Sequence, residues 1–308
     1  KPHSYWDSVS PVPLETEEIK DYRTKDSAFT ARKDSLVNID SLRKKQGHVT
    51  VWQILWSGVN RTRFSNKNPY KIQFDPLIKT LQYNTVEGLA INPSLMISGY
   101  NKKLNSDVNF IADARYGFNN HHLNPWAGLV FRSKDAFDPD KKNKQQSFFI
   151  AGGKRVSQFF KENDLSGLAN SVGTLLYGQN DLKIYENYFS KAGFSKKWES
   201  GVSFLIEGEY EDRLPLNNTT DFILNKKWLY RLTPNYPVEI LSSQFARNQA
   251  VILHASVSIK PGQRYIQFPK YKMAIGSKYP TFTFDYTKGL KNILGSDVAK
   301  KFSSLPYL

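Results

Sequence analysis

The sequence predicts an all-β fold: an antiparallel transmembrane β-barrel, partial in this chain, preceded by a helical periplasmic arm. Three observations lead there. The first is strict alternation in Asp107 to Phe118. Val108, Phe110, Ala112, Ala114, Tyr116 and Phe118 share one parity. Asn109, Asp113, Arg115 and Gly117 share the other, with Ile111 as the one apolar intruder. Alternate side chains of a strand point to opposite faces, so one face is apolar and the other polar and charged. The second is length: the alternating segments run to about ten residues, enough for a tilted strand to cross a bilayer. The third is aromatic content, 14%, with Tyr116, Trp126, Phe131, Trp198, Tyr210, Tyr265 and Tyr286 near strand ends, where interfacial girdles form.

Taken in chain order, residues 1–48 stand apart. After Ser10-Pro11-Val12-Pro13 a charged helical stretch spans roughly Glu15 to Lys45, with sparse apolar positions at Ile19, Tyr22, Leu36, Ile39 and Leu42. This reads as a periplasmic arm. From Val49 onward β patterning takes over, and residues 49–308 are assigned to barrel strands. Val49, Val51, Gln53 and Leu55 open a strand that ends at Asn60-Arg61-Thr62-Arg63. Leu89, Ile91, Leu95 and Ile97 alternate with polar or small residues, and Asn120 to Phe131 follows as another strand. Ser147 to Phe159 contains Gly152-Gly153, a predicted bend or bulge. Leu165 to Tyr177 is a short helix among the strands. Strands follow around Tyr188 to Trp198, Val202 to Glu211, Val251 to Lys260 and Phe282 to Tyr286, joined by polar loops such as 138–146 and 214–221. The count is nine or ten strands. A single-chain bacterial barrel needs an even number and no open edge, so these residues are expected to be part of a longer polypeptide.

Composition narrows the function classes. The 308 residues contain no cysteine, which removes disulfides, thiolate metal sites and Cys nucleophiles. Mean hydropathy is −0.52, and no run of about eighteen apolar residues exists, so no helix spans a membrane. A barrel keeps such a low average because half of each strand faces a polar interior. The formal net charge is +15, yet the basic residues are scattered and no nucleic-acid-binding signature accompanies them, so no nucleic-acid partner is expected. Nucleotide-binding and serine-hydrolase motifs are absent, and adjacent His121 and His122 point to opposite faces, which does not suit one metal.

Glu207, Glu209 and Glu211 form a carboxylate row on one strand, with neighbours about 7 Å apart. Acid–base catalysis would need such a pair to be differentially buried. The commoner arrangement sets the row against cations on an adjacent strand, and Arg115, Lys154 and Arg155 are the expected partners. The predicted lumen-lining set is Asn109, Asp113, Arg115, Glu207, Glu209, Glu211, His254, Lys260 and Asp285. No catalytic, cofactor or metal residues are assigned. Asp7-Ser8, Asp26-Ser27, Asp34-Ser35 and Asp40-Ser41, each followed by an apolar residue, match a loose O-glycan acceptor pattern in the arm.

Several ordered segments resemble one bacterial family. They are Tyr5-Trp6-Asp7, Pro11 to Leu14, Glu17 to Tyr22 with Lys25-Asp26-Ser27, Leu81 to Gly88, Tyr210 to Thr219, and Gly276 to Pro280. The chain is similar from Tyr5 to about Lys288 to an uncharacterised Gram-negative outer-membrane family. Its members carry a carboxypeptidase-regulatory-like domain ahead of a β-barrel. The resemblance implies an outer-membrane barrel with a periplasmic N-terminal part and implies no peptidase activity. The expectation is a non-enzymatic outer-membrane protein acting in transport, envelope biogenesis or as a subunit of a larger complex. It would contact membrane lipid and other envelope proteins, with either a pore or a plugged interior. The alternative is a soluble secreted β-protein that binds glycans through its Tyr and Trp residues.

Overall fold

A computed structural model describes residues 16–37, 47–63, 70–101, 104, 106–133, 144–160, 165–239, 241–267 and 272–296. Strand makes up 51% and helix 17%, so the mostly antiparallel β expectation holds, but no closed barrel is found among the described residues. The chain divides into two compact units, 1–48 and 49–308.

The first unit contributes α1 (Thr16–Val37). Glu17 and Glu18 sit in its first turn, where carboxylates complement the helix dipole. Asp21 and Lys25 pair one turn apart at 2.5 Å, and Tyr22 is more than half exposed. Of the Asp-Ser pairs, Asp26-Ser27 lies within α1, where the Ser27 hydroxyl donates to the Thr24 carbonyl. Asp7-Ser8 and Asp40-Ser41 lie outside the described residues.

The second unit is an antiparallel meander. Its strands are β1 (Val59–Arg63), β2 (Tyr70–Phe74), β3 (Gln82–Asn84), β4 (Gly88–Ile91), β5 (Ser94–Asn101), β6 (Ser106–Gly117) and β7 (Leu123–Ser133). These are followed by β8 (Lys144–Gln158), β9 (Ile184–Trp198), β10 (Val202–Leu214), β11 (Asn248–Ile259), β12 (Arg264–Gln267), β13 (Lys272–Gly276) and β14 (Phe282–Leu290). The main sheet runs β1-β2-β5-β6-β7-β8-β9-β10-β11-β14, with the β3–β4 hairpin joined to β6 and β12–β13 forming a separate hairpin. Among the described residues β1 and β14 each have one neighbour and form the two edges of the sheet.

Register shows how the alternation in each strand becomes one surface. Val59, Phe74, Leu95, Ala112, Ala127, Gly152, Ser190, Tyr210, Val251 and Leu290 are successive partners across all ten strands of the main path. Two positions along, Ile72, Ile97, Phe110, Leu129, Ile150, Ala192, Gly208 and Leu253 form a second row. A third carries Tyr70, Val108, Phe131, Phe148, Phe194, Ile206, Ala255 and Tyr286. These rows share one face because directly paired residues point the same way. Edge strands interrupt them with Arg61 and Arg63 on β1 and Lys288 on β14, the charged marking that edge strands use against unwanted pairing.

Three local expectations are corrected. Val51 to Ser57 does not extend; it forms a short helical turn, and β1 starts only at Val59. Gly152-Gly153 inserts no extra residue into the β8–β9 ladder, which stays in register throughout. Instead Gly153 takes φ +142°, and the β7–β8 pairing stops there. The Leu89–Ile97 segment is two strands, β4 and β5, interrupted at Asn92 and Pro93.

The tightest packing gathers at one end of the sheet, called here the base. The described parts of the base connections, 75–93, 165–183 and 215–239 with 241–247, fold together around Val86, Leu182, Ile184 and Leu216, with Val156 of β8 against them. Helix α2 (Leu77–Thr80) and helix α3 (Gly167–Tyr177) belong to these connections. Helix α3 buries its polar side, Asn170, Ser171 and Thr174, and exposes Leu168, Val172 and Leu176. The cause is specific: the Asn170 side-chain oxygen accepts from the backbone N–H groups of Asp181 and Leu182, and its amide donates to Asn180.

Candidate functional site: the polar wall and its base

The polar face carries most of the residues singled out in the sequence. By register, Asn109, Asp113 and Arg115 of β6, Glu207, Glu209 and Glu211 of β10, His254 of β11 and Asp285 of β14 all share it. Lys260 lies one residue beyond the end of β11, and its backbone N–H donates to the Gly201 carbonyl.

The three glutamates occupy graded environments. Glu211 has no exposed surface; it accepts from Arg155 at 2.9 Å, from Arg213 at 2.8 and 2.6 Å, and from Asn187 at 3.1 Å. Ser157 donates to the Asn187 carbonyl oxygen and fixes the orientation of that amide. Glu209, slightly exposed, also pairs with Arg155. Glu207 is the most open; it meets Lys191 at 2.8 Å and His254 at 3.9 Å. His254 in turn lies 3.6 Å from Asp285. The result is a run of charged and polar contacts along the polar face, with Arg155 stacked 4.0 Å over the Phe189 ring. Each of the three carboxylates is held by at least one arginine or lysine.

Of the three expected partners, Arg155 takes that role. Arg115 turns to a different carboxylate: it donates to both oxygens of Glu87, at 2.8 and 2.5 Å, and to Gln82 at 3.0 Å. Lys154 faces the opposite, apolar side and pairs with Glu186 at 2.9 Å. Glu186 also meets His122 at 2.8 Å and accepts from Asn124 at 3.0 Å. This polar cluster marks the base margin of the apolar rows.

Glu87, Asn84, Asn187 and Arg213 escaped sequence reasoning. Part of the signal was present. In Asn84-Thr85-Val86-Glu87-Gly88 the Asn84 side-chain oxygen accepts from the Val86 and Glu87 backbone N–H groups, an Asx turn closed by Gly88 at φ +62°. The turn is buried and bridges to distant segments. Thr85 donates to Asn218 and accepts from Asn180; Thr219 donates to the Val86 carbonyl. Segments 81–88 and 210–219, recognised separately in the sequence, thus meet at the base. Asn235 adds a further tie, donating to the carbonyls of Ile184 and Leu216.

No curated protein and no solved structure matches the chain. Residues 52–305, nearly all of the second unit, match the C-terminal domain of the family of unknown function DUF5686, and the chain belongs to that family.

Proposed function

We propose that the chain forms wall strands of a non-enzymatic outer-membrane β-barrel in the bacterial envelope. It would act in transport, in envelope biogenesis or as a subunit of a larger outer-membrane complex. The observation that carries this is the apolar face of the ten-strand path, crossed by one row from Val59 to Leu290 and by two shorter rows, with Phe148, Ile150, Tyr188, Phe282, Phe284 and Tyr286 lying open on it. A soluble sheet covers such a face; lipid solvates it instead. The dimensions agree. Tyr188 and Trp198, on the outward parity of β9, are ten residues apart, about 33 Å along the strand. Tilted by about 40°, that spans about 25 Å, the height of an outer-membrane apolar band.

The opposite face then lines an interior whose charges are neutralised in pairs, and the folded base connections obstruct it at one end. That arrangement favours a plugged scaffold over a wide open pore. The upstream regulatory-like domain implied by the family resemblance would lie on the periplasmic side with the arm.

The test is fractionation and extraction of the native protein. Recovery in the outer-membrane fraction, resistance to carbonate, and release only by detergent are the expected results. A protein that stays monodisperse without detergent would overturn the proposal and favour the soluble glycan-binding reading.

A further inference from the structure

The turn before β1 carries apolar side chains outside any core. Val51, Trp52 and Trp56 are 71%, 69% and 57% exposed, and Val49 and Leu55 are open as well. Trp52 and Trp56 lie one turn apart and stack, with ring centroids 6.5 Å apart and planes 23° from parallel. The turn is anchored from behind: it packs on α2, and Gly58 at φ +73° brings the chain against the Phe74 carbonyl and Pro76, where a Cβ would have no room. Two large indoles held rigidly in the open are costly in water.

We propose that this turn is an interfacial foot, seated at the boundary between lipid headgroups and acyl chains beside the edge of the sheet. The inference rests on the membrane reading of the apolar face. Continuity identifies the occupant. The turn runs directly into Val59, the first outward residue of β1, which belongs to the apolar row that crosses every strand to Leu290. Lipid that wets this row therefore reaches the turn. Composition agrees: indole suits the interface because its ring is apolar and its N–H needs a polar partner. The outward Arg61 and Arg63 that follow have long stems able to carry their charge back to that polar layer. The foot would fix the point at which the chain enters the wall.

The test uses the full chain in phosphatidylcholine vesicles with bromine placed either near the headgroup or deep in the acyl chain. Wild type, W52F/W56F and W198F are compared. Each difference isolates the quenching of the substituted indoles while leaving the packed Trp126 untouched. The foot predicts that the Trp52/Trp56 share is quenched about two-fold more by shallow than by deep bromine. Quenching of Trp198 without any at Trp52/Trp56 would overturn the foot and leave the barrel reading in place. Quenching at neither position in a folded protein would overturn both. Quenching at Trp52/Trp56 alone would support the foot and sink the spanning wall. Co-purification of a protein that shields both indoles from bromine would also overturn the lipid assignment.

Discussion

Replacing the three glutamates of β10 one at a time should produce steeply unequal losses of stability, although the sequence presents them as equivalents. Glu211→Ala removes the acceptor of four hydrogen bonds from a site with no exposed surface. Breaking a buried ion pair from one side costs about 3–5 kcal/mol, because the stranded charge remains. Two features place Glu211 at the low end. Arg155 retains Glu209, and Arg213 is 16% exposed and lies over the Tyr185 ring. The expectation is about 3 kcal/mol. Glu209→Ala leaves Arg155 with Glu211, so about 1 kcal/mol is expected. Glu207→Ala breaks a partly solvated pair with Lys191, worth at most about 1 kcal/mol. Urea unfolding in vesicles, followed by tryptophan fluorescence, measures all three. A double-mutant cycle of Glu211 with Arg213 should return a coupling of about 1–3 kcal/mol. A Glu211→Ala protein no weaker than Glu207→Ala would refute the graded wall and the burial argument behind it.

Other perturbations follow from the same contacts. Arg115→Ala should free the 84–87 turn, seen as at least about ten-fold faster hydrogen exchange at the Val86 and Glu87 amides, with β10 and β11 unaffected. Gly153→Ala places a Cβ 2.5 Å from the Pro125 carbonyl oxygen at a φ of +142°, so a loss of about 2–4 kcal/mol is expected in the urea assay. Gly208→Ala, with nothing within 4 Å, should change stability by less than about 0.5 kcal/mol. Burial pushes the Lys183 ammonium below its ordinary value of 10.5, against the pull of Asp181 and Glu239. The unfolded chain therefore holds more protons in the window just below 10.5, so stability should rise with pH there and level off above it. Unfolding midpoints of Lys183→Met across that window should lack the rise.

Alternation made the faces legible. The parity assigned to Val108 through Tyr116 is the parity the β5–β6–β7 register enforces, because a period of two leaves no other choice once a strand forms. What alternation could not supply was partners. Arg115 and Glu211 share a face, yet each is satisfied by a different segment, Glu87 in one case and Arg155 with Arg213 in the other. Strand register brings Arg155 to Glu211, whereas the Arg115–Glu87 pairing depends on how the connection between β3 and β4 folds back, which no local pattern encodes. The failed strand start has a physical cause. Val49 and Val51 look like the start of a strand, but a strand needs a neighbour, and β2 offers partners only from Phe74 to Tyr70. The helix at 165–177 was legible, but which side it buries was not: Asn170 is committed to backbone donors at 181 and 182, and that leaves Leu168, Val172 and Leu176 exposed.

The meander has an even number of passes, so the chain enters β1 and leaves β14 at the same rim. The large folded connections, with described parts 75–93, 165–183 and 215–239 with 241–247, are all at that rim too. Among the described residues, the far rim carries the tight turn at 199–201 and the β12–β13 hairpin. For a wall that inserts from one side, this asymmetry lightens the load. Strands can cross as hairpins led by small polar tips, while the asparagine-rich base never has to be dragged through hydrocarbon. On the membrane reading, loop size then sets sidedness, and a membrane-impermeant thiol label should reach cysteines placed at Ser57 and Asn292 from one side and at Ser200 from the other.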